Sequence, residues 1–371
     1  MRVLITGSDG FIGQNLKLWL EEKKIEVFSF TRKNNLKELP SILKNVQFIF
    51  HLAGVNRSED LRDFSLDNTK FTEQLCEAIK SIKTKIPIVY SSSIQAESNS
   101  DYGKSKLAAE KILINFKNKN LNPVFIYRLP NVFGKWSRPN YNSVVATFCY
   151  NIIHNKIINI HNPKTIIQVV YIDDLIKSFI SKLKDNSMQN CYVDINPVYK
   201  ITLEELSKQL YRFKNMQNNL FVETVGNGLV RALYSTYISY LPTENFTYSI
   251  KQHEDIRGKF VEVLKTKHNG QFSFITVNPG FTRGGHYHHS KTEKFLVVEG
   301  KAKFRFCHMI TGQYYEISIT GDQPKIVETI PGWSHDITNI GKKKLTCILW
   351  ANEIFDKNNP DTYECPINIK N

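Results

Sequence analysis

A chain of 371 residues, 41% of them hydrophobic, is too long for one compact core of ordinary size and too apolar for a disordered protein. No run of about 18 apolar residues occurs, so no segment is expected to insert into a membrane. The formal charge of +14 comes from lysines scattered along the chain, and no helix-turn-helix or zinc-finger module accompanies them. Nucleic acid is therefore not an expected partner, and a polyanionic small substrate suits the surplus better.

The chain opens Met1-Arg2-Val3-Leu4-Ile5-Thr6-Gly7, a short strand running straight into a turn, with no room for a signal peptide. The six cysteines form no Cys-x-x-Cys pair, so reduced thiols and a cytoplasmic location are the expectation. As far as Tyr240, short apolar runs alternate with amphipathic stretches. Arg2–Thr6, Glu26–Phe30, Phe48–His51, Ile86–Ser91 and Val124–Arg128 read as buried strands. Phe11–Glu22, Asn68–Ser81 and Lys104–Asn118 read as helices. Such alternation predicts a doubly wound parallel sheet of the Rossmann kind over residues 1–243. After Leu241-Pro242-Thr243 the pattern changes. Short strands at 272–277, 295–298, 302–306, 314–319, 326–330 and 345–350 are separated by turns such as Asn278-Pro279-Gly280 and Glu299-Gly300. Residues 244–371 are expected to form an all-β barrel or jelly roll.

The first strand runs into Gly7-Ser8-Asp9-Gly10-Phe11-Ile12-Gly13, and a helix follows. Glycines at this spacing permit a tight turn, a close approach of pyrophosphate to backbone N–H groups, and packing of helix on strand. The second strand ends Phe30-Thr31-Arg32-Lys33, where a fold that binds NAD usually carries an acid for the ribose hydroxyl. Arg32 suits the 2′-phosphate of NADPH instead. Tyr102 and Lys106 are four apart and share a helical face. A phenol of pKa about 10 exchanges protons poorly at neutrality, and a neighbouring ammonium is expected to lower that value. Tyr102 could then protonate a carbonyl oxygen as a hydride reaches its carbon. Ser91-Ser92-Ser93 ends the preceding strand and offers a hydroxyl to the same oxygen.

These segments, with His51-Leu52-Ala53-Gly54 and Arg128-Leu129-Pro130-Asn131-Val132-Phe133-Gly134, resemble the extended short-chain dehydrogenase/reductases over about two thirds of the chain. The resemblance implies that Leu52, Ala53 and Gly54 line the cofactor. It makes Ser93 the catalytic serine, with Ser92 next, beside Tyr102 and Lys106. It also implies that Asn131, with Arg128 and Ser92 near it, contacts a nucleotide-sugar substrate. Only eight residues separate Ser93 from Tyr102, a shorter gap than in many members.

The β-rich part contains Gly280-x₅-His286-Tyr287-His288-x₄-Glu293-x₆-Gly300 and then Pro331-Gly332-Trp333-Ser334-His335-x₃-Asn339. His286 and His288, two apart on a strand, face one side, and Glu293 and His335 can join them from neighbouring strands. Three imidazoles and a carboxylate suit Zn²⁺, Mn²⁺, Fe²⁺ or Ni²⁺, with Zn²⁺ favoured. The pair of motifs resembles the cupins. The alternative is a metal-free cupin whose histidines do acid–base chemistry directly. Tyr287, His289 and Lys294 flank the four ligands as candidate proton carriers.

A reductase followed by a metal cupin resembles the CapF-type family of bifunctional capsular polysaccharide enzymes, over essentially the whole chain. That resemblance implies a homodimer acting on a UDP-linked 4-keto-6-deoxy amino sugar. The cupin would epimerise C3 of a UDP-2-acetamido-2,6-dideoxy-hexos-4-ulose. The reductase would then reduce C4 with NADPH to UDP-N-acetyl-6-deoxy-L-talosamine, on the route to UDP-N-acetyl-L-fucosamine. The rivals are another 4-keto sugar-nucleotide reductase with a structural cupin and a non-enzymatic NADP(H)-binding regulator.

Overall fold

The computed structural model describes residues 1–56, 64–185 and 191–367. The chain divides into two compact units, one of Met1–Tyr211 with Gly226–Leu241 and one of Arg212–Val225 with Pro242–Asn371. Segment 212–225 therefore belongs with the second unit, ahead of the boundary suggested by the change of pattern at residue 243. Its attachment is a backbone pairing in which Val222 N–H donates to Lys265 O and Lys265 N–H donates to Leu220 O, both at 2.7 Å.

In the first unit β1 (Arg2–Thr6) leads into α1 (Phe11–Glu22), then β2 (Glu26–Phe30), α2 (Leu39–Leu43) and β3 (Phe48–His51). A π-helical turn, Phe64–Lys70, runs into α3 (Phe71–Ser81), followed by β4 (Ile88–Ser93), α4 (Asp101–Asn120) and β5 (Val124–Leu129). These strands form a parallel sheet in the order β2-β1-β3-β4-β5. Leu75, Ile79, Leu113 and Phe116 of α3 and α4 pack on Leu4, Ile49, Ile88 and Ile126 of the strands. Each such side chain contributes about 1.5–3 kcal/mol by leaving water. Beyond β5 come β6 (Asn131–Phe133), α5 (Val144–Ile153), β7 (Ile166–Tyr171), α6 (Ile172–Ser181), β8 (Tyr199–Thr202), α7 (Leu203–Asn219), whose residues from Arg212 onward count with the second unit, and α8 (Gly228–Ile238). Phe179 of α6 meets Phe50 and Tyr127 with ring centroids 6.1 and 4.9 Å apart, so the sheet is covered on its other face too.

Two helix and strand limits differ from the sequence reading in ways that matter below. β4 begins at Ile88 because Pro87 lacks the N–H a ladder needs, and it continues through all three serines, paired with Tyr127–Leu129 of β5. α4 begins at Asp101 because Ser100 caps it, accepting from Gly103 N–H at 3.0 Å.

The second unit is a sandwich of two sheets whose named strands pair antiparallel throughout. Its strands are β9 (Gln252–Asp255), β10 (Gly258–Thr266), β11 (Gly270–Val277), β12 (Thr282–Tyr287), β13 (Glu293–Glu299) and β14 (Lys301–His308). They continue as β15 (Tyr314–Thr320), β16 (Ile326–Glu328), β17 (Trp333–Asn339), β18 (Leu345–Ala351) and β19 (Tyr363–Glu364). The sheet orders are β16-β13-β18-β11-β10-β9 and β15-β14-β17-β12-β19. Val277, Phe295, Val297 and Cys347 from one sheet meet Ala302, Phe304, Ile319 and Ile337 from the other in the core.

One ion-pair cluster braces α4 against β4 and β5. Glu110 has no exposed surface, and Arg128 donates to it through Nη2 at 2.7 Å and through Nε at 3.1 Å. The Ser92 hydroxyl also donates to Glu110, as does Tyr192 Oη at 3.0 Å. Glu110→Gln should therefore lower the unfolding free energy by about 2 kcal/mol, the worth of hydrogen bonds to a charged group. Urea unfolding checks this, and an unchanged midpoint would contradict it.

Candidate functional sites

The carboxyl ends of the parallel strands open on a cleft of about 1280 Å³. Gly7, Gly10, Phe11, Ile12, Gly13, Arg32, Leu52, Ala53, Gly54, Ser92, Ser93, Tyr102, Lys106 and Asn131 all line it. Ser8 and Arg128, both expected there, do not. Ser8 is 2% exposed beneath the turn, and Arg128 is committed to Glu110 and to Glu97. Ser92 reaches the cleft, but its hydroxyl is bonded to Glu110. Because β4 runs on through the serines, neighbours alternate faces, and Ser93 is the one beside Tyr102.

The glycine turn fits a dinucleotide. Gly7 has φ 71°, and a Cβ there would lie 2.8 Å from the backbone of Ala53. A Cβ on Gly13 would lie 2.3 Å from Gly7 O. The helix that follows has Gly10 at its cap, no side chain satisfying its first N–H groups, and no acid in its first turn. Those N–H groups and the positive end of the helix are left to an anion.

Lys106 is 5% exposed, and its Nζ donates to Ser91 O at 2.9 Å. Burial pushes its pKa down to about 8, and the Glu110 carboxylate works the other way. Tyr102 departs from expectation. Burial raises its phenol, and the Ser93 hydroxyl, rather than the lysine, is what opposes the rise. A tyrosine that keeps its proton is the form a carbonyl reduction consumes. Asn68, which the motifs did not single out, donates to Ser105 Oγ and to Val55 O, both at 2.9 Å, and braces the floor of the site.

In the second unit the donor atoms of His286, His288, Glu293 and His335 all lie within 4.8 Å of one another. His286 and His335 face each other across β12 and β17, after a bulge at Gly284 that sets the register. Glu293 opens β13 of the other sheet. Its Oε2 lies 3.5 Å from His288 Nε2 and 3.3 Å from His335 Nε2. Two donors about 2.1 Å from one tetrahedral ion would sit roughly 3.4 Å apart. Neither Nε2 has a hydrogen-bond partner, although both are buried. His288 Nδ1 bonds the carbonyl of Asp361, an acceptor only, so that nitrogen carries the proton and Nε2 turns its lone pair inward. Burial first, and then His335, push His286 down to about 4, which keeps it neutral. Burial would raise Glu293, but His288, His335 and Lys291 outweigh it and hold the carboxyl well below its usual range. Four such donors fit a divalent cation.

Two further residues of this site escaped the sequence reading. Lys291 is 9% exposed with Nζ 3.2 Å from Glu293 Oε1. Asp361 accepts the N–H groups of His289, Ser290 and Lys291 at 2.7–2.8 Å and fixes the loop between the ligands. Nothing in the spacing of the motifs points to a residue so far along the chain. The candidate proton carriers are placed elsewhere. Tyr287 and His289 pack on Tyr363, with ring centroids 5.4 and 4.9 Å away, and Lys294 is ion-paired with Glu328.

Comparison with known proteins bears on both units. Residues 3–193 match the NAD dependent epimerase/dehydratase family, and residues 253–363 match the polysaccharide biosynthesis C-terminal domain. A UDP-2-acetamido-2,6-beta-L-arabino-hexul-4-ose reductase of Pseudomonas aeruginosa is 53% identical over 369 residues, covering 99% of each chain. The crystal structure of the capsular polysaccharide assembling protein CapF of Staphylococcus aureus superposes with a TM-score of 0.93 at 39% identity, over 99% of this chain and 100% of that one. A UDP-glucuronic acid 4-epimerase of Bacillus cereus, solved with NAD, shares the fold of the first part at 18% identity, with a TM-score of 0.56 over 65% of this chain and 98% of that one.

The burial of Lys106 has a measurable cost. Its folded pKa of about 8 lies below the unfolded value, so the charge is penalised at pH 7. Lys106→Met should be more stable than the parent at pH 7 by about 2 kcal/mol, after allowing for the lost hydrogen bond. Between pH 8 and about 10 the unfolded chain still holds the proton and the folded one does not, so the parent gains and the difference shrinks. Urea midpoints of the two proteins across that range test the sign.

Proposed function

The chain belongs to the NAD dependent epimerase/dehydratase family and is an enzyme of the CapF type, and from that premise we propose that it carries out two steps on one UDP-linked 4-keto-6-deoxy amino sugar. The second unit, as a cupin, inverts C3 of a UDP-2-acetamido-2,6-dideoxy-hexos-4-ulose. The first unit reduces C4 with NADPH to UDP-N-acetyl-6-deoxy-L-talosamine, on the route to UDP-N-acetyl-L-fucosamine. The observation that carries this reading is the full-length 53% identity to a reductase of a UDP-linked hexul-4-ose, in a chain that also holds the four-donor cluster. The enzyme works as a homodimer in this reading.

NADPH binds along the glycine turn, with Arg32 at the end of β2 taking the 2′-phosphate where an acid would have favoured NAD. The dinucleotide supplies the hydride. Ser93 holds the C4 oxygen, and Tyr102 gives it a proton. Lys106, anchored on Ser91 O, keeps a positive charge on the same helical face below pH about 8.

His286, His288, Glu293 and His335 would hold the cation, with Zn²⁺ the best match to three imidazoles and one carboxylate. A cation there supplies a Lewis acid for the ketone oxygen. Asp361 holds His288 in the ligand tautomer, and Lys291 occupies the second oxygen of Glu293. The two steps share one functional group, because the C4 ketone that is reduced also acidifies the proton on C3.

The two sites can be separated by mutation. Tyr102→Phe should slow NADPH oxidation by about 10²–10⁴-fold, the range for loss of a general acid. It should leave solvent-deuterium exchange at C3 intact. His288→Ala, or removal of metal with a chelator, should abolish the exchange and spare reduction of substrate already inverted at C3. Loss of exchange in Tyr102→Phe would mean that the sites do not act independently.

A further inference from the structure

Among the described residues, seven other than glycine have positive φ. Lys24, Lys83, Leu121, Asn155 and Leu220 lie within two residues of a helix end, where a left-handed residue commonly closes the last turn. The other two, Trp136 at φ 69° and Asn140 at φ 55°, sit in the loop between β6 and α5. Asparagine tolerates this conformation, but a bulky side chain is a genuine outlier there.

The fold holds Trp136 in place from both sides. Lys135 Nζ pairs with Asp173 at 2.6 Å, and Asn15 Nδ2 donates to Lys135 O at 3.4 Å. On the other side the Tyr240 hydroxyl donates to Ser137 O. The indole is 50% exposed, with Lys135 Nζ 5.4 Å from its ring centre. It lines the cleft, with Arg138 and Tyr141 beside it, and the Arg138 guanidinium lies 5.4 Å from the centre of the Tyr141 ring. This group follows β5 and β6, whereas Arg32 follows β2 at the opposite edge of the sheet. It therefore stands at the end of the cleft away from the dinucleotide's 2′-phosphate.

We propose that Trp136 is the stacking wall for the pyrimidine base of the nucleoside diphosphate, and that Arg138 meets its diphosphate. The inference rests on the reading of the substrate as UDP-linked. A strained backbone persists where surrounding structure enforces it, and such strain concentrates at ligand sites. A half-exposed indole offers a broad π-face to a planar base, and base–aromatic stacking is a strong, orientation-defining contact. A guanidinium matches phosphate oxygens by charge and geometry.

The test uses the intact protein, with UDP, uridine and NADP⁺ as probes in calorimetric titrations. Trp136→Gly should weaken UDP binding tenfold or more and leave NADP⁺ affinity within twofold. Arg138→Ala should weaken UDP and leave uridine unchanged. If Trp136→Gly bound UDP within twofold of the parent, the stacking role would be overturned while the UDP reading stood. If the parent protein itself failed to bind UDP, the UDP reading would fall and this assignment with it.

Discussion

The ammonium of Lys106 has been taken out of water, and the carbonyl of Ser91 is what receives it. That contact ties α4 to β4 two residues before the strand ends. It sets the height of Tyr102 one turn earlier on the helix and leaves Ser93, two residues beyond Ser91, on the tyrosine's side. Four residues further along the helix, Glu110 is buried as well, and it collects Arg128, Ser92 and Tyr192. The two buried charges sit on one helix at i and i+4, so each eases the burial of the other. The placement of the Ser93 and Tyr102 hydroxyls thus depends on a pair of buried charges along the same helix.

The second unit meets the same cost with different groups. Buried polar atoms without a partner are expensive, and His288 and His335 both present such a nitrogen toward one carboxylate. A fold keeps that arrangement when something else completes it. The cross-strand pair His286 and His335 and the bulge at Gly284 show how a sheet aims several imidazoles at one point.

What the sequence disclosed was whatever its own spacing encodes. The glycine turn, the Tyr102–Lys106 interval and the histidine motifs are local, and a strand or helix converts each directly into a shared face. The choice between Ser92 and Ser93 was not local, because it depended on whether the strand stopped before the serines or ran through them. Arg128 was misplaced for a related reason. Its motif position suggested substrate, but Glu110, eighteen residues earlier, claims it. The upward displacement of the Tyr102 pKa was also invisible, since burial outweighs any help from the lysine and burial is a tertiary quantity. Asp361 and Trp136 lie at the far end of this scale. A carbonyl 73 residues from the histidine it bonds, and a left-handed tryptophan, leave no periodic trace.

The place of Asp361 in the chain has a consequence for biosynthesis. Ribosomes make proteins from the N-terminus, so the reductase unit's glycine turn, serine, tyrosine and lysine all emerge before the first of the four clustered donors. His288 then emerges well ahead of the carbonyl that fixes its tautomer. Until that carbonyl arrives, either nitrogen of the imidazole can hold the proton, and the loop from His289 to Lys291 lacks the carboxylate that gathers its N–H groups. The cluster is therefore the last chemistry to mature during synthesis. A nascent chain that stalls late carries the glycine turn, Ser93, Tyr102 and Lys106, and an unfinished four-donor cluster.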